Sequence, residues 1–190
     1  NEDRDDYVKS PEEWLPIPGA LEAIARLNHA GWHTVVASNQ SGIGRGLFDM
    51  STLNTMHLKM HQMLAKHGGR IDAVFFCPHT PDDGCDCRKP LPGLFKMIGE
   101  RYGVDLGQVP VVGDVLRDLQ AGAAVGCLPH LVRTGKAARM SDAEIEAEFR
   151  QVVALSEKLE ADFAGKPEHR RDLAHGHTIA AWELAEAGRH

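Results

Sequence analysis

The run from Cys77 to Cys87 reads C-P-H-T-P-D-D-G-C-D-C, and it constrains the fold more than any other stretch of the chain. Cys77, Cys85 and Cys87 lie in it beside His79, while the remaining cysteine, Cys127, stands alone. Cys77-x-His79 and Cys85-x-Cys87 are two closely spaced ligand pairs. The intervening T-P-D-D-G is turn chemistry that can fold one pair onto the other. Three thiolates and one imidazole complete a tetrahedral zinc shell with no open position, so this zinc shapes a loop and performs no chemistry. The chain opens on polar, acidic N-E-D-R-D-D-Y, which is not an export signal. Clustered cysteines in that setting point to metal rather than disulfides, and to a cytoplasmic protein.

The rest of the chain alternates helix and strand. Leu21, Ile24, Ala25 and Leu27 mark one face of a helix over about 19–30, closed by Gly31. H-T-V-V-A-S predicts a buried parallel strand ending near Ser38. N-Q-S-G-I-G-R-G follows as a glycine-rich loop. Leu53, Met56, Met60 and Met63 pattern a helix over about 50–66. I-D-A-V-F-F is the next strand, and the cysteine run hangs from its end. Pro92 fits the first turn of a third helix reaching about Tyr102. V-P-V-V-G is a third strand, Leu116 to Ala123 a fourth helix, and C-L-P-H-L-V a fourth strand. This rhythm predicts an α/β fold: a Rossmann-like, mostly parallel sheet with helices on both faces and a zinc loop inserted. Beyond about residue 138 the pattern becomes a helical tail, 139–190. Ser141 and Glu144 form a capping box, and a helix runs from there to about Ala164. The tail's stripe of Ile145, Phe149, Val152 and Val153 is expected to bury on its own domain. A short helix over 178–187 is also expected. His175 and His177 read as solvated surface histidines.

A net charge of −6 over 190 residues disfavours nucleic acid or an anionic membrane as partner. No apolar run approaches a membrane span. A monomer acting on a small molecule is the expected state.

Three further motifs carry chemistry. Ser38-Asn39-Gln40 stands where a parallel strand ends, the edge at which open α/β sheets bind ligands. Ser38 Oγ and the backbone N–H groups of the following loop can hold phosphate oxygens. Arg88-Lys89 directly follows the cysteine pair. Two adjacent cations on a metal-ordered base can clamp phosphate, Arg bidentately and Lys as a point charge. Asp114 follows the V-V-G strand, with Asp118 one turn on. A carboxylate there suits Mg²⁺, which takes a few carboxylates plus phosphate oxygens, and it also suits a helix N-cap.

S-N-Q-S-G-I-G-R-G, C-P-H with C-D-C-R-K-P, V-V-G-D and L-V-R-T-G-K together resemble the haloacid-dehalogenase-type phosphatases. The run C-D-C-R-K-P narrows the resemblance to the D-glycero-D-manno-heptose 1,7-bisphosphate 7-phosphatase branch, near the histidinol phosphatases. It covers Asn1 to about Lys136, so a phosphatase domain over 1–138 is expected. The resemblance implies a Mg²⁺-dependent hydrolase of lipopolysaccharide heptose synthesis, with a phosphorylated sugar as partner. Ser38 would bind the transferring phosphoryl group, and Asn39, Gln40 and Ser41 would contact substrate. Lys89 would neutralise the nucleophile and the phosphate, and Arg88 would grip the non-reacting phosphate. Asp114 would hold Mg²⁺, and Cys77, His79, Cys85 and Cys87 structural zinc. Asp3, Arg4, Asp5 and Asp6 would lie at the sugar. The implied chemistry is phosphoryl transfer to an aspartate, then hydrolysis.

The chain departs from that family in one essential respect. The family's nucleophile stands in a hydrophobic strand ending D-x-D-G, ahead of the position of Asn1. Asp3-Arg4-Asp5 has the letters without the strand or the glycine. Residues 1–190 are therefore expected to be a fragment or edited form, inactive alone, or to close the gap by rearranging neighbouring strands. Val115 is a second departure, because relatives often carry a polar residue there. The tail beyond about Ala138 matches no part of the family.

Overall fold

A computed structural model of the chain describes Asn1 and residues 6–163, with side chains as far as residue 155. The described chain packs as two compact units. One is Asn1–Arg88 with Thr134–Lys136, and the other begins with Lys89–Arg133 and continues from Ala137.

The first unit runs α1 (Ala20–His29), β1 (Val35–Asn39), α2 (Ser41–Gly44), α3 (Met50–Lys66), β2 (Ala73–Cys77). Helix α3 starts where Asp49 Oδ1 accepts the Thr52 N–H at 2.8 Å. It is the crossover that a parallel pair requires, and β1 pairs with β2 in parallel from Val35↔Ala73 to Asn39↔Cys77. Leu21, Leu64 and Ile71 form the core, packed by Ile24, Val36, Met60, Met63 and Val74. Helix α3 thus buries the face its spacing predicts.

Helix α1 differs from expectation. Leu27 is 43% exposed, and Asn28, one position on, is buried instead. Asn28 earns that place by hydrogen bonding. Its Nδ2 donates to Trp32 O and Thr34 Oγ1, and its Oδ1 accepts the Arg70 N–H at 2.7 Å. A buried amide with three partners ties the start of β1 to the segment before β2, which no apolar side chain could do.

The second unit runs α4 (Gly93–Tyr102), β3 (Pro110–Gly113), α5 (Leu116–Ala123), β4 (Leu128–Leu131), α6 (Asp142–Phe163). Pro92 stands one residue ahead of α4, as its N-cap. Helix α5 is the crossover between β3 and β4, which pair in parallel from Pro110↔Leu128 to Gly113↔Leu131. The predicted capping box forms at α6: Ser141 N donates to Glu144 Oε2 at 2.8 Å, and Glu144 N donates to Ser141 Oγ at 3.3 Å. Ile145, Phe149 and buried Val152 pack on Leu119, Ala123 and Leu131. The apolar stripe of the tail is core of its own unit. Each such buried side chain contributes roughly 1.5–3 kcal/mol.

Two expectations need correction. The four strands pair as two two-stranded parallel sheets rather than one. Each pair is closed by its own crossover helix, and strand periodicity carries no information about which pairs adjoin. The strands are also less buried than expected: β1 is half-buried throughout, and Val112 in β3 is 60% exposed. The expected 178–187 helix lies outside the described residues.

Asp72 supplies a pH-dependent tie beside Asn28. Its Oδ2 accepts the Thr34 N–H, and its Oδ1 accepts Arg70 Nε, each at 2.9 Å. Burial opposes its ionisation, but the Arg70 and Thr34 bonds and the Arg70 and His33 charges outweigh that, holding the carboxyl below its ordinary 3.8. A depressed folded pKa contributes stability that is present above 3.8 and lost as pH falls through the folded value. Wild type should therefore exceed Asp72→Asn in urea-unfolding stability near neutral pH. The group is solvent-screened, so the lead should be below about 1 kcal/mol. It should vanish at about pH 2; a lead constant across that range would contradict the assignment.

Candidate metal centre and phosphate-binding residues

Parallel strands end at the same edge, so β1 and β2 deliver their C-terminal residues together. Asn39 lies opposite Cys77, and the Gln40 N–H donates to Cys77 O at 2.7 Å. The segment after Cys77 then turns back on itself. Thr80 N donates to Asp83 Oδ2 at 2.6 Å, Pro81–Asp83 make a single 3₁₀ turn, and Gly84 takes the left-handed conformation at φ 62°. This is the T-P-D-D-G turn performing the task its composition predicts.

The turn brings four ligand atoms within 4.8 Å of one another: Cys77 Sγ, His79 Nδ1, Cys85 Sγ and Cys87 Sγ. Cys77 Sγ lies 3.5 Å from His79 Nδ1 and 3.6 Å from Cys85 Sγ, and His79 Nδ1 lies 3.3 Å from Cys87 Sγ. A tetrahedral zinc with ligands at about 2.1–2.3 Å has ligand–ligand edges of about 3.6–3.8 Å. These three distances lie near those edges, and the four atoms could hold one such ion. Among the described residues no other group of three or more such ligands occurs.

The thiols cannot all ionise without a cation. Burial pushes Cys87 up to about 12, reinforced by the neighbouring Cys77 and Cys85 sulfurs. Burial also raises Cys77. Burial opposes ionisation of Cys85 as well, but N–H donation from Arg88 and the Cys77 and Cys87 sulfurs outweigh it and bring Cys85 to about 7. Three sulfurs crowded this way oppose one another's ionisation, so a shared cation would favour the thiolate forms.

The same edge carries the serine loop. Gln40 Nε2 donates to Ser38 Oγ at 3.0 Å, so an amide predicted to touch substrate also orients the serine. Ser41 is buried, with its Oγ 3.3 Å from Tyr7 Oη. The glycine-rich stretch is not the open loop expected. Ser41–Gly44 form a helical turn, and the N–H groups of Ile43, Gly44, Arg45, Gly46 and Leu47 donate to Gln40 O, Pro78 O, Ser41 O, Ile43 O and Gly42 O. Those amides are spent on structure and do not cradle an anion. Gly44 is required because a Cβ there would lie 2.7 Å from Pro78 O, where the two loops touch. Arg88 Nη1 donates to His79 O at 3.2 Å, so the ligand loop anchors the first of the two predicted phosphate cations.

Lys89 belongs to the second unit. It is buried, and its Nζ pairs with Asp118 Oδ1 at 2.9 Å. Asp118 stands in the first turn of α5, and Asp114 directly follows β3. Asp114 does not cap α5. Val115 occupies that position with no side-chain bond, and the Asp118 N–H donates to its carbonyl at 3.0 Å. The glycine of V-V-G-D has a packing reason: a Cβ on Gly113 would lie 2.6 Å from Asp118 Cβ.

Asp6 pairs with Lys9 Nζ at 2.7 Å on the surface. Asp3, Arg4, Asp5, His175 and His177 lie outside the described residues. Sequence reasoning missed Asp118 as the partner of Lys89, and it missed Tyr7. Neither had a sequence signal beyond residue type, because both act through contacts distant in the chain.

Residues 86–157 match the family model described as HAD-hydrolase-like. That match, together with the relatives below, places the chain in the HAD hydrolase class. The chain is 62% identical to the D-glycero-β-D-manno-heptose-1,7-bisphosphate 7-phosphatase of Bordetella bronchiseptica over 135 residues, 71% of this chain and 75% of that protein. It is 54% identical to the Pseudomonas aeruginosa protein of the same name over 139 residues, 73% of this chain and 78% of that one. Its fold resembles the crystal structure of the B. bronchiseptica D,D-heptose 1,7-bisphosphate phosphatase complexed with magnesium and phosphate. That likeness has a TM-score of 0.71 at 50% identity and covers 98% of this chain and 93% of that one. The chain belongs to the D-glycero-D-manno-heptose-1,7-bisphosphate 7-phosphatase family. The tail beyond about Ala138 was expected to match no part of the family, but the family model runs on to residue 157 and the fold likeness covers 98% of the chain.

Gly113→Ala should disturb Asp118 and, through it, Lys89. Breaking a close-packed backbone contact of this kind should cost about 1–3 kcal/mol in urea unfolding. A variant as stable as wild type would show that Asp118 can move without cost.

Proposed function

We propose that the chain is the phosphate-binding and metal-stabilised body of a sugar bisphosphate phosphatase acting on D-glycero-D-manno-heptose 1,7-bisphosphate and releasing the 7-phosphate. The observation that carries this reading is the shared edge of β1 and β2. There the Ser38–Ser41 segment and the four-ligand loop bearing Arg88 lie side by side. Relatives of this name support the substrate. Arg88 beside Lys89 favours a bisphosphate over the histidinol-phosphate alternative, since a second phosphate calls for a second cation.

In this reading Ser38, oriented by Gln40, donates a hydrogen bond to the transferring phosphoryl group, and Asn39, Gln40 and Ser41 face substrate. Buried Lys89, held by Asp118, supplies positive charge to the nucleophile and phosphate. Arg88 takes the non-reacting phosphate, and the acidic segment Asp3–Asp6 faces the sugar. Asp114 is the ligand for Mg²⁺, which when bound neutralises charge on phosphate oxygens. The magnesium and phosphate in the related structure support that ion. Zinc on Cys77, His79, Cys85 and Cys87 is structural. A cytoplasmic setting keeps those thiols reduced, and a small phosphorylated sugar is the partner of a monomer.

None of residues 1–190 is an aspartate in a hydrophobic strand ending D-x-D-G, so these residues alone are expected to bind without turnover. A phosphate-release assay with heptose 1,7-bisphosphate and Mg²⁺ should be silent for residues 1–190. It should become active when such a strand is joined ahead of Asn1, with histidinol phosphate the poorer substrate. Silence in both forms would overturn the phosphatase reading. Turnover by residues 1–190 that Asp3→Asn abolishes would instead place the nucleophile at Asp3.

Elemental analysis should find about one zinc per chain. Its removal by a chelator should lower the thermal midpoint and loosen the loop carrying Arg88. Cys85→Ser should lose the metal; a fully folded, zinc-free protein of wild-type midpoint would rule out a structural zinc.

A further inference from the structure

The first unit contains a second cationic residue that no sugar-phosphate role yet explains. Arg45 closes the one-turn helix α2 and is exposed. The Arg45 N–H donates to Ser41 O at 3.0 Å, and the Gly44 N–H before it donates at 3.1 Å to Pro78 O, next to the His79 carbonyl that holds Arg88. The Ser41 bond first, then the Arg45 and Arg88 charges, hold the Tyr7 hydroxyl below its ordinary 10.0. Ser41, buried beneath, holds that hydroxyl at 3.3 Å. Two guanidinium groups and a phenol therefore converge on one place beside the ligand loop. Among the described residues neither arginine forms an ion pair with a carboxylate. The only side-chain partner Arg88 has there is the His79 carbonyl, at 3.2 Å.

Like charges gathered this way repel unless an anion joins them. A phosphate monoester dianion matches the cluster in charge and in donor geometry: two planar forks for its oxygens and a hydroxyl for a third contact. A single carboxylate would leave one guanidinium uncompensated. The anchoring also suits binding. Arg88 is tied to the loop backbone and Tyr7 to buried Ser41, so two of the three donors are positioned before ligand arrives.

We propose that Arg45 joins Arg88 in a two-arginine clamp for the non-reacting phosphate of the sugar bisphosphate, with the Tyr7 hydroxyl, oriented by Ser41, as the third donor. The assignment rests on the sugar-bisphosphate reading and adds a specificity-determining residue to it. Arg45 sets how strongly the chain prefers a bisphosphate to a monophosphate.

Calorimetric titration of residues 1–190 with heptose 1,7-bisphosphate and with heptose 7-phosphate tests the clamp. Wild type should bind the bisphosphate more tightly. Arg45→Ala should cut that preference by about 10- to 100-fold while leaving 7-phosphate affinity unchanged. Arg45→Lys should restore only part of it, because an ammonium cannot make the paired contact. Tyr7→Phe should lose less, up to about 10-fold. Arg45 is exposed, so its variants should melt with wild type. If Arg45→Ala keeps the wild-type preference while Arg88→Ala loses it, the role of Arg45 is overturned and the sugar-bisphosphate reading stands. Equal weakening of both ligands by Arg45→Ala also overturns the clamp, because it would show only general attraction. A wild-type chain that binds both ligands equally overturns the sugar-bisphosphate reading and the clamp with it.

Discussion

Parallel pairing of β1 with β2 is the constraint on which the rest of the first unit depends. It places Asn39 opposite Cys77, and one further bond, Gln40 N–H to Cys77 O, carries the register past the end of the strands. Everything chemical in this unit is then built outward from that edge. One strand continues into the serine segment and the other into the ligand loop. In this register Ser38 lies opposite Phe76 and Asn39 opposite Cys77; a slip of one residue would invert one strand's faces against the other's, so the hydrophobic pattern that sets the register also sets the site.

The ligand loop is a second layer resting on the first. Its turn closes on Thr80, Asp83 and Gly84, and it aligns four ligand atoms at spacings that suit one tetrahedral ion. Arg88 is fixed through the carbonyl of His79, itself one of the four ligand residues. Ligand residues, loop backbone and the Arg88 guanidinium are thus arranged in series, and disorder in the first would spread to the last. Lys89 depends on a different support, the Asp118 carboxylate in the first turn of α5. Adjacent in sequence, the two cations are held by separate devices in separate units.

Much of this architecture could be read from residue order alone. Helix α3 occupies the predicted 50–66, and the Ser141–Glu144 capping box forms as its spacing demands. The ligand set of Cys77, His79, Cys85 and Cys87 was legible for the same reason: the pairs and the turn between them are local, and local chemistry is written in consecutive residues. Where expectation failed, a distant partner decided. Leu27 yields its place on α1 to Asn28 because Arg70, far along the chain, offers an N–H that only a polar side chain can meet. The glycine-rich stretch folds into a helical turn closed by Arg45 N–H to Ser41 O, and its Gly44 N–H is taken by Pro78 O of the distant ligand loop.

The sequence by itself determined the elements, the candidate metal ligands and the residue types able to meet phosphate, since each follows from periodicity or from neighbours a few positions apart. Only the tertiary structure decided which strands pair, that the serine segment and the ligand loop share an edge, and that Asp118 holds Lys89. It alone brought Tyr7 to Ser41. These are contacts between groups separated by tens of residues, and their energies depend on distance in space, which residue order does not encode.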